Sequence, residues 1–181
     1  MKKAVICLYG GPGAGKSTTA AYLFALCKIR AMNVELVREY IKDWVWEGRT
    51  ITPGDQLYIF AKQSRKERIL FKDTDLIITD SPIWLSPIYE RKYDVEPFVT
   101  EIAIEKQLVV AAKAGFRYIH FILNRKVPYQ QEGRYQTEEE AKSLDTEIRE
   151  LLTRKQMPFW EIDGNEEAAQ NILNILDKEL T

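Results

Sequence analysis

The feature that most constrains this chain is eight residues long. Gly10-Gly11-Pro12-Gly13-Ala14-Gly15-Lys16-Ser17 has the form G-x-x-x-x-G-K-[ST]. The apolar run Ala4 to Tyr9 precedes it, and Ala20, Leu23, Phe24, Cys27 and Ala31 follow at helical spacing. Strand, loop and helix in that order give the motif its meaning. Glycines let successive backbone N–H groups turn inwards around a phosphate, and the helix start adds positive potential. Lys16 then reaches the β- and γ-oxygens, and the Ser17 hydroxyl meets a magnesium ion. A merely glycine-rich turn would not carry Lys-Ser at this offset. ATP or GTP with Mg2+ is therefore expected on Gly11, Gly13, Ala14, Gly15, Lys16, Ser17 and Thr18.

Apolar blocks alternate with longer amphipathic stretches along the rest of the chain, the rhythm of a parallel sheet with crossover helices. Strands are expected at Ala4 to Tyr9, Val34 to Val37, Leu76 to Asp80, Tyr118 to Leu123 and Phe159 to Ile162. Helices are expected over Lys16 to Ala31, Arg38 to Trp46, Gln56 to Phe71 and Glu96 to Gly115. Thr137 and Glu140 form a capping box that opens a further helix to about Lys155, and Asn165 reads as the cap of the last one. The pattern predicts one three-layer α/β/α sandwich with a five-stranded parallel sheet, over residues 1–181, with a polar lid at about 124–137. Right-handed crossovers leave few ways to arrange it.

Composition narrows the setting. The 181 residues are 45% hydrophobic and 29% charged, a globular profile. A net charge of −1 gives no global attraction to nucleic acid or an anionic membrane. No apolar run approaches the ~20 residues that span a bilayer, and Gly10 interrupts the N-terminal one. Cys7 and Cys27 sit among apolar residues without CxxC partners, and the one histidine is His120. Buried thiols in a reducing cytoplasm are expected, without a disulfide or zinc site.

Three further segments point from nucleotide binding to phosphoryl transfer. The third strand ends at Asp80, and strand ends in an open α/β sheet face the ligand crevice. Asp80 is thus a candidate for the magnesium, and a helix-capping role for it is also open. The second strand runs into Arg38-Glu39-Tyr40. Glu39 suits a base that takes a proton from an acceptor hydroxyl, with Arg38 and Tyr40 holding the acceptor. The segment 124–136 carries Arg125, Lys126 and Arg134, as a lid bringing arginines to the transferred phosphoryl would. Candidate catalytic residues are Lys16, Glu39, Asp80, Arg125 and Arg134. An AAA-type ATPase or motor would need a longer chain with sensor elements.

These residues resemble the P-loop nucleoside and nucleotide kinases. Arg38-Glu39-Tyr40 is similar to the Arg-Glu-Pro element after the second strand of thymidylate and deoxynucleoside kinases, with Tyr40 in place of proline. Combined with Thr79-Asp80-Ser81-Pro82 and Glu132-Gly133-Arg134, it more closely resembles the nicotinamide-riboside-kinase-like ATP-binding proteins of bacteria and bacteriophages. The resemblance implies a cytoplasmic, monomeric or homodimeric kinase. It also implies ATP as donor, Glu39 as base or orienter, Arg125 and Arg134 as lid arginines, and adenine near Asp163-Gly164-Asn165.

The acceptor is less defined. Tyr40, Trp44, Trp46, Tyr58, Phe60 and Trp84 cluster in acceptor-side segments, and rings stack on bases at ~1–3 kcal/mol each. A small nucleoside or nucleotide is the first reading, with Trp84 among the residues that touch it. The basic run Lys62 to Arg68 keeps open a kinase acting on a hydroxymethylated base or an end in DNA. A nucleotide-dependent switch or regulatory ATPase without an acceptor is the third reading.

Overall fold

The structure, a computed structural model, describes residues 2–126, 129 and 135–180. Five parallel strands form its sheet: β1 (Lys3–Tyr9), β2 (Val34–Val37), β3 (Leu76–Thr79), β4 (Phe116–Asn124) and β5 (Phe159–Asp163). Their spatial order is β2-β3-β1-β4-β5. β1 is central, with Val5 paired to Ile77 on one side and Tyr118 on the other. Every residue from Ala4 to Tyr9 is buried because both sheet faces are covered, and such a strand reads as a continuous apolar run.

Alternation along β1 divides the core in two. Ala4, Ile6 and Leu8 face a cluster that includes Leu23 and Cys27 of α1 (Lys16–Ile29) and Ile172 and Leu176 of α7 (Ala168–Glu179). Val5, Cys7 and Tyr9 face the opposite cluster. That second layer is built by α3 (Asp55–Arg68), α4 (Ser86–Tyr93), α5 (Thr100–Lys113) and α6 (Glu138–Arg154). Truncating Ile6, which is fully buried, to Ala should cost about 2–5 kcal/mol, the range for emptied aliphatic core sites. Both cysteines are buried and free.

The helices depart from expectation at several ends. α2 covers only Lys42–Trp46, so Arg38-Glu39-Tyr40 is loop at the C-terminal edge of β2. The stretch after Pro82 holds a 3₁₀ turn at Ile83–Leu85 and then α4, a separate helix. α5 begins at Thr100 rather than Glu96, where Glu90 of α4 accepts bonds from the N–H groups of Val99 (2.9 Å) and Thr100 (3.1 Å). Asn165 is not the N-cap of α7, since that helix begins at Ala168 after Glu167. Its Oδ1 instead accepts from the Glu167 N–H at 3.0 Å, an Asx turn ahead of the helix. The Thr137–Glu140 capping box is present, with both reciprocal hydrogen bonds.

Candidate functional site

The site lies at the C-terminal ends of β1, β2 and β3. Gly15 precedes α1 with φ +87°, a left-handed conformation that a side chain would strain, and no side chain caps the helix. The first turn of α1 also holds no acid. Its N-terminal N–H groups, which have no intrahelical acceptor, are thus left for an anion. Lys16 Nζ folds back on the loop, donating to the carbonyls of Gly10 (2.6 Å) and Gly11 (3.1 Å). Burial lowers the Lys16 pKa, and the carboxylates of Glu39, Asp80 and Asp145 oppose that fall.

Across the crevice, the Glu39 N–H donates to Asp80 Oδ1 at 2.9 Å. Asp80 is 5% exposed and spends that oxygen on Glu39, not on capping a following helix. Burial raises the Glu39 carboxyl above its ordinary value, with the Lys16 charge as the largest opposing influence. A cavity of about 250 Å³ is lined from both sides, by Lys16, Ser17 and Thr18 of α1 and by Glu39, Tyr40 and Gln63 across the crevice. Tyr40 is fixed from two directions. Its N–H donates to Gln63 Oε1 at 3.0 Å, and its hydroxyl donates to that of Tyr58 at 3.2 Å.

The expected site residues are thus only partly brought together. Arg38 does not line the cavity; its side chain is exposed and its carbonyl accepts from Lys66 Nζ at 2.9 Å. Trp84 does not line it either. The ring is 4% exposed within the second core cluster, with Lys155 Nζ 5.3 Å above it. Tyr89, Tyr93 and Tyr135 do line the cavity and carried no motif to reveal them. Arg134, with Glu132 and Gly133, lies outside the described residues.

Arg125 rests against the phosphate loop. Its Nη1 donates to the Pro12 carbonyl at 2.7 Å, and Nη2 pairs with Asp145 Oδ2 at 3.0 Å. The other Asp145 oxygen, Oδ1, accepts the Gly11 N–H. Sequence reasoning missed Asp145, one acid among several on the polar face of α6. Around Gly164 the chain lies against the same loop. The Gly164 N–H donates to Asn124 O at 2.8 Å, and an added Cβ would fall 2.5 Å from the Ala14 carbonyl.

No group of three or more Asp, Glu, His or Cys side chains among the described residues could cage a metal. Mg2+ keeps several waters and takes one or two protein oxygens together with phosphate oxygens, a demand that a single hydroxyl beside a phosphate loop fits. Ser17, the second residue of α1, lines the cavity. Asp80 does not line it; its carboxylate is buried against the Glu39 N–H, near enough to Lys16 to oppose the fall in that pKa.

Sheet order and phosphate loop together define a P-loop fold of the nucleotide-kinase type, which implies nucleotide binding. Residues 5–169 match a protein-family model described as an AAA domain, and the chain belongs to that family. Chain length had argued against AAA kinship, and the match overturns that argument. No curated protein sequence matches. Solved structures do. The crystal structure of NadR protein in complex with NR aligns with TM-score 0.70 at 14% identity, over 97% of this chain and 51% of that one. The chain therefore spans about half the length of that relative. Deoxyadenosine kinase from M. mycoides, with dCMP and a flexible dCDP bound, aligns at TM-score 0.59 and 16% identity. That alignment covers 97% of this chain and 99% of the other. The APE1195 structure aligns at TM-score 0.54 and 16% identity, over 99% and 98% of the two chains. At these identities the likeness is one of fold. Among the described residues, no helix is long and apolar enough to cross a membrane.

Proposed function

We propose that the chain is an ATP-dependent kinase that transfers the γ-phosphoryl group to a hydroxyl of a nucleoside-sized metabolite. The observation that carries this reading is Glu39, a carboxyl of raised pKa in the same cavity as Lys16, Ser17 and Thr18. A carboxylate there suits a neutral hydroxyl, whose proton it can take, and repels a phosphate monoester. The tyrosine walls suit a ring-bearing acceptor.

In this reading the acceptor oxygen bonds to the γ-phosphorus as the bond to the β–γ bridging oxygen breaks, and ADP leaves. The hydroxyl proton passes to Glu39, whose raised pKa makes it a better acceptor at neutral pH. Lys16 and the bare N-terminus of α1 hold the phosphate oxygens. Ser17 and Asp80 would hold Mg2+, which supplies charge neutralisation at the phosphates when bound.

The test is γ-labelled ATP with a panel of nucleosides, mononucleotides, and plain or hydroxymethylated oligonucleotides. Label on a nucleoside is the expected result. Label released only as free phosphate, or found only on an oligonucleotide, would overturn the proposal.

A further inference from the structure

The phosphate loop is held from outside by a carboxylate that no motif announces. Asp145 stands on α6, 134 residues along the chain from Gly11, and its two oxygens do separate work. One accepts the Gly11 N–H; the other pairs with Arg125, whose remaining outer nitrogen reaches the Pro12 carbonyl. Loop, arginine and helix thus close a ring of contacts around Gly11 and Pro12. The side chains of Arg125 and Asp145 are only 12% and 16% exposed, so little solvent screens the pair.

Packing leaves this ring no slack. A Cβ on Gly11 would lie 2.2 Å from the Ala141 carbonyl, one helical turn before Asp145, so α6 touches the loop by its backbone. A Cβ on Gly13 would lie 3.0 Å from Arg125 Nη1. The loop's outward side is therefore seated on α6 and Arg125, while its inward side borders the cavity. Phosphate binding by backbone N–H groups depends on their preset orientation, and displacements near 1 Å can cost about 100-fold.

We infer that Asp145 is a positioning residue, which fixes the phosphate loop and Arg125 in one arrangement before nucleotide arrives. The inference rests on nucleotide binding by the loop and not on the identity of any acceptor. Its experiment is a double-mutant cycle over Asp145→Ala and Arg125→Ala, read as the Kd of a fluorescent ATP analogue without acceptor. Each single variant is expected to weaken binding about tenfold or more, and the double variant no further than the worse single one. Asp145→Asn keeps an acceptor for Gly11 while losing the charge pair, and should recover part of the loss. Thermal melting of each variant, run beside the titration, keeps Kd values to folded protein. Unchanged affinity in folded Asp145→Ala, or losses that simply multiply in the double variant, would overturn the inference. A kinase assay that found no acceptor would leave this outcome untouched.

Discussion

The backbone N–H of Glu39 donates to Asp80 Oδ1 at 2.9 Å, joining the ends of two adjacent strands. β2 and β3 pair from Val34 opposite Leu76 to Val37 opposite Thr79, so the two acids leave the sheet side by side. One oxygen of Asp80 thereby orients the residue proposed as base. The bond also explains why Glu39 stays in the crevice although it lies on a loop.

Glu39→Gln preserves shape and that backbone bond while removing the proton acceptor. Transfer to the acceptor is expected to fall about 10²- to 10⁴-fold, with ATP affinity little changed. Initial rates and nucleotide titration on the same preparation check this, and near-normal transfer would remove Glu39 as the base.

Asp80→Asn keeps an oxygen for the Glu39 N–H but loses its charge. The Mg2+ concentration giving half-maximal activity should rise several-fold, with Glu39 still in place. Asp80→Ala should lose both effects together and fall further. An Asp80→Asn variant with the magnesium dependence of wild type would argue against the metal role, and equal activities for the two variants would argue against the orienting bond to Glu39.

Two buried groups tilt stability in opposite directions with pH. Glu67, fully buried, accepts from the Tyr118 hydroxyl at 2.9 Å, and burial raises its pKa from 4.5 to about 7. Its neutral form is favoured in the fold, so its contribution is greatest below the unfolded pKa and declines as pH rises towards 7. His120, 5% exposed and bonded to the Tyr9 hydroxyl at 2.9 Å, is lowered from 6.5 to about 4. Its contribution is full above 6.5 and declines as pH falls towards 4. Each amounts to about 3 kcal/mol at most, at 1.36 kcal/mol per unit. Between pH 4.5 and 6.5 the two slopes offset one another. In Glu67→Gln, denaturant midpoints should climb more steeply from pH 4.5 to 6.5 than they do in wild type.

The same pair gives the reciprocal outcome. His120→Asn should lose stability overall, because a partner of Tyr9 is altered, yet its midpoint should decline from pH 4.5 to 7. A variant that kept a level profile would show that Glu67 does not titrate in that window.

Much of the scaffold was legible because local signals agree with the tertiary result. β1 is apolar and buried at every position from Ala4 to Tyr9, and the Thr137 capping box needs only residues within one turn. The start of α5 was not legible, since its first N–H groups are satisfied by Glu90, a residue of another helix. Asp145 escaped for the same reason at longer range, its partner being Gly11. Trp84 misled because an aromatic beside a strand end reads alike whether it turns to the cavity or to the core. That the phosphate loop, Glu39 and Asp80 stand at the C-terminal ends of β1, β2 and β3 was readable, because spacing from the strands is itself the signal.

The placement of β1 between β3 and β4 has a consequence for how the molecule is made. β1, made before the other four strands of the sheet, pairs through Val5 with Ile77 and Tyr118, partners that lie far downstream of it in the chain. At about 5–20 residues per second, it waits several seconds before both neighbours emerge. The Gly11 contact on Asp145 comes later still. Nucleotide-binding competence is therefore acquired only once α6 has been made, well after the motif that defines it.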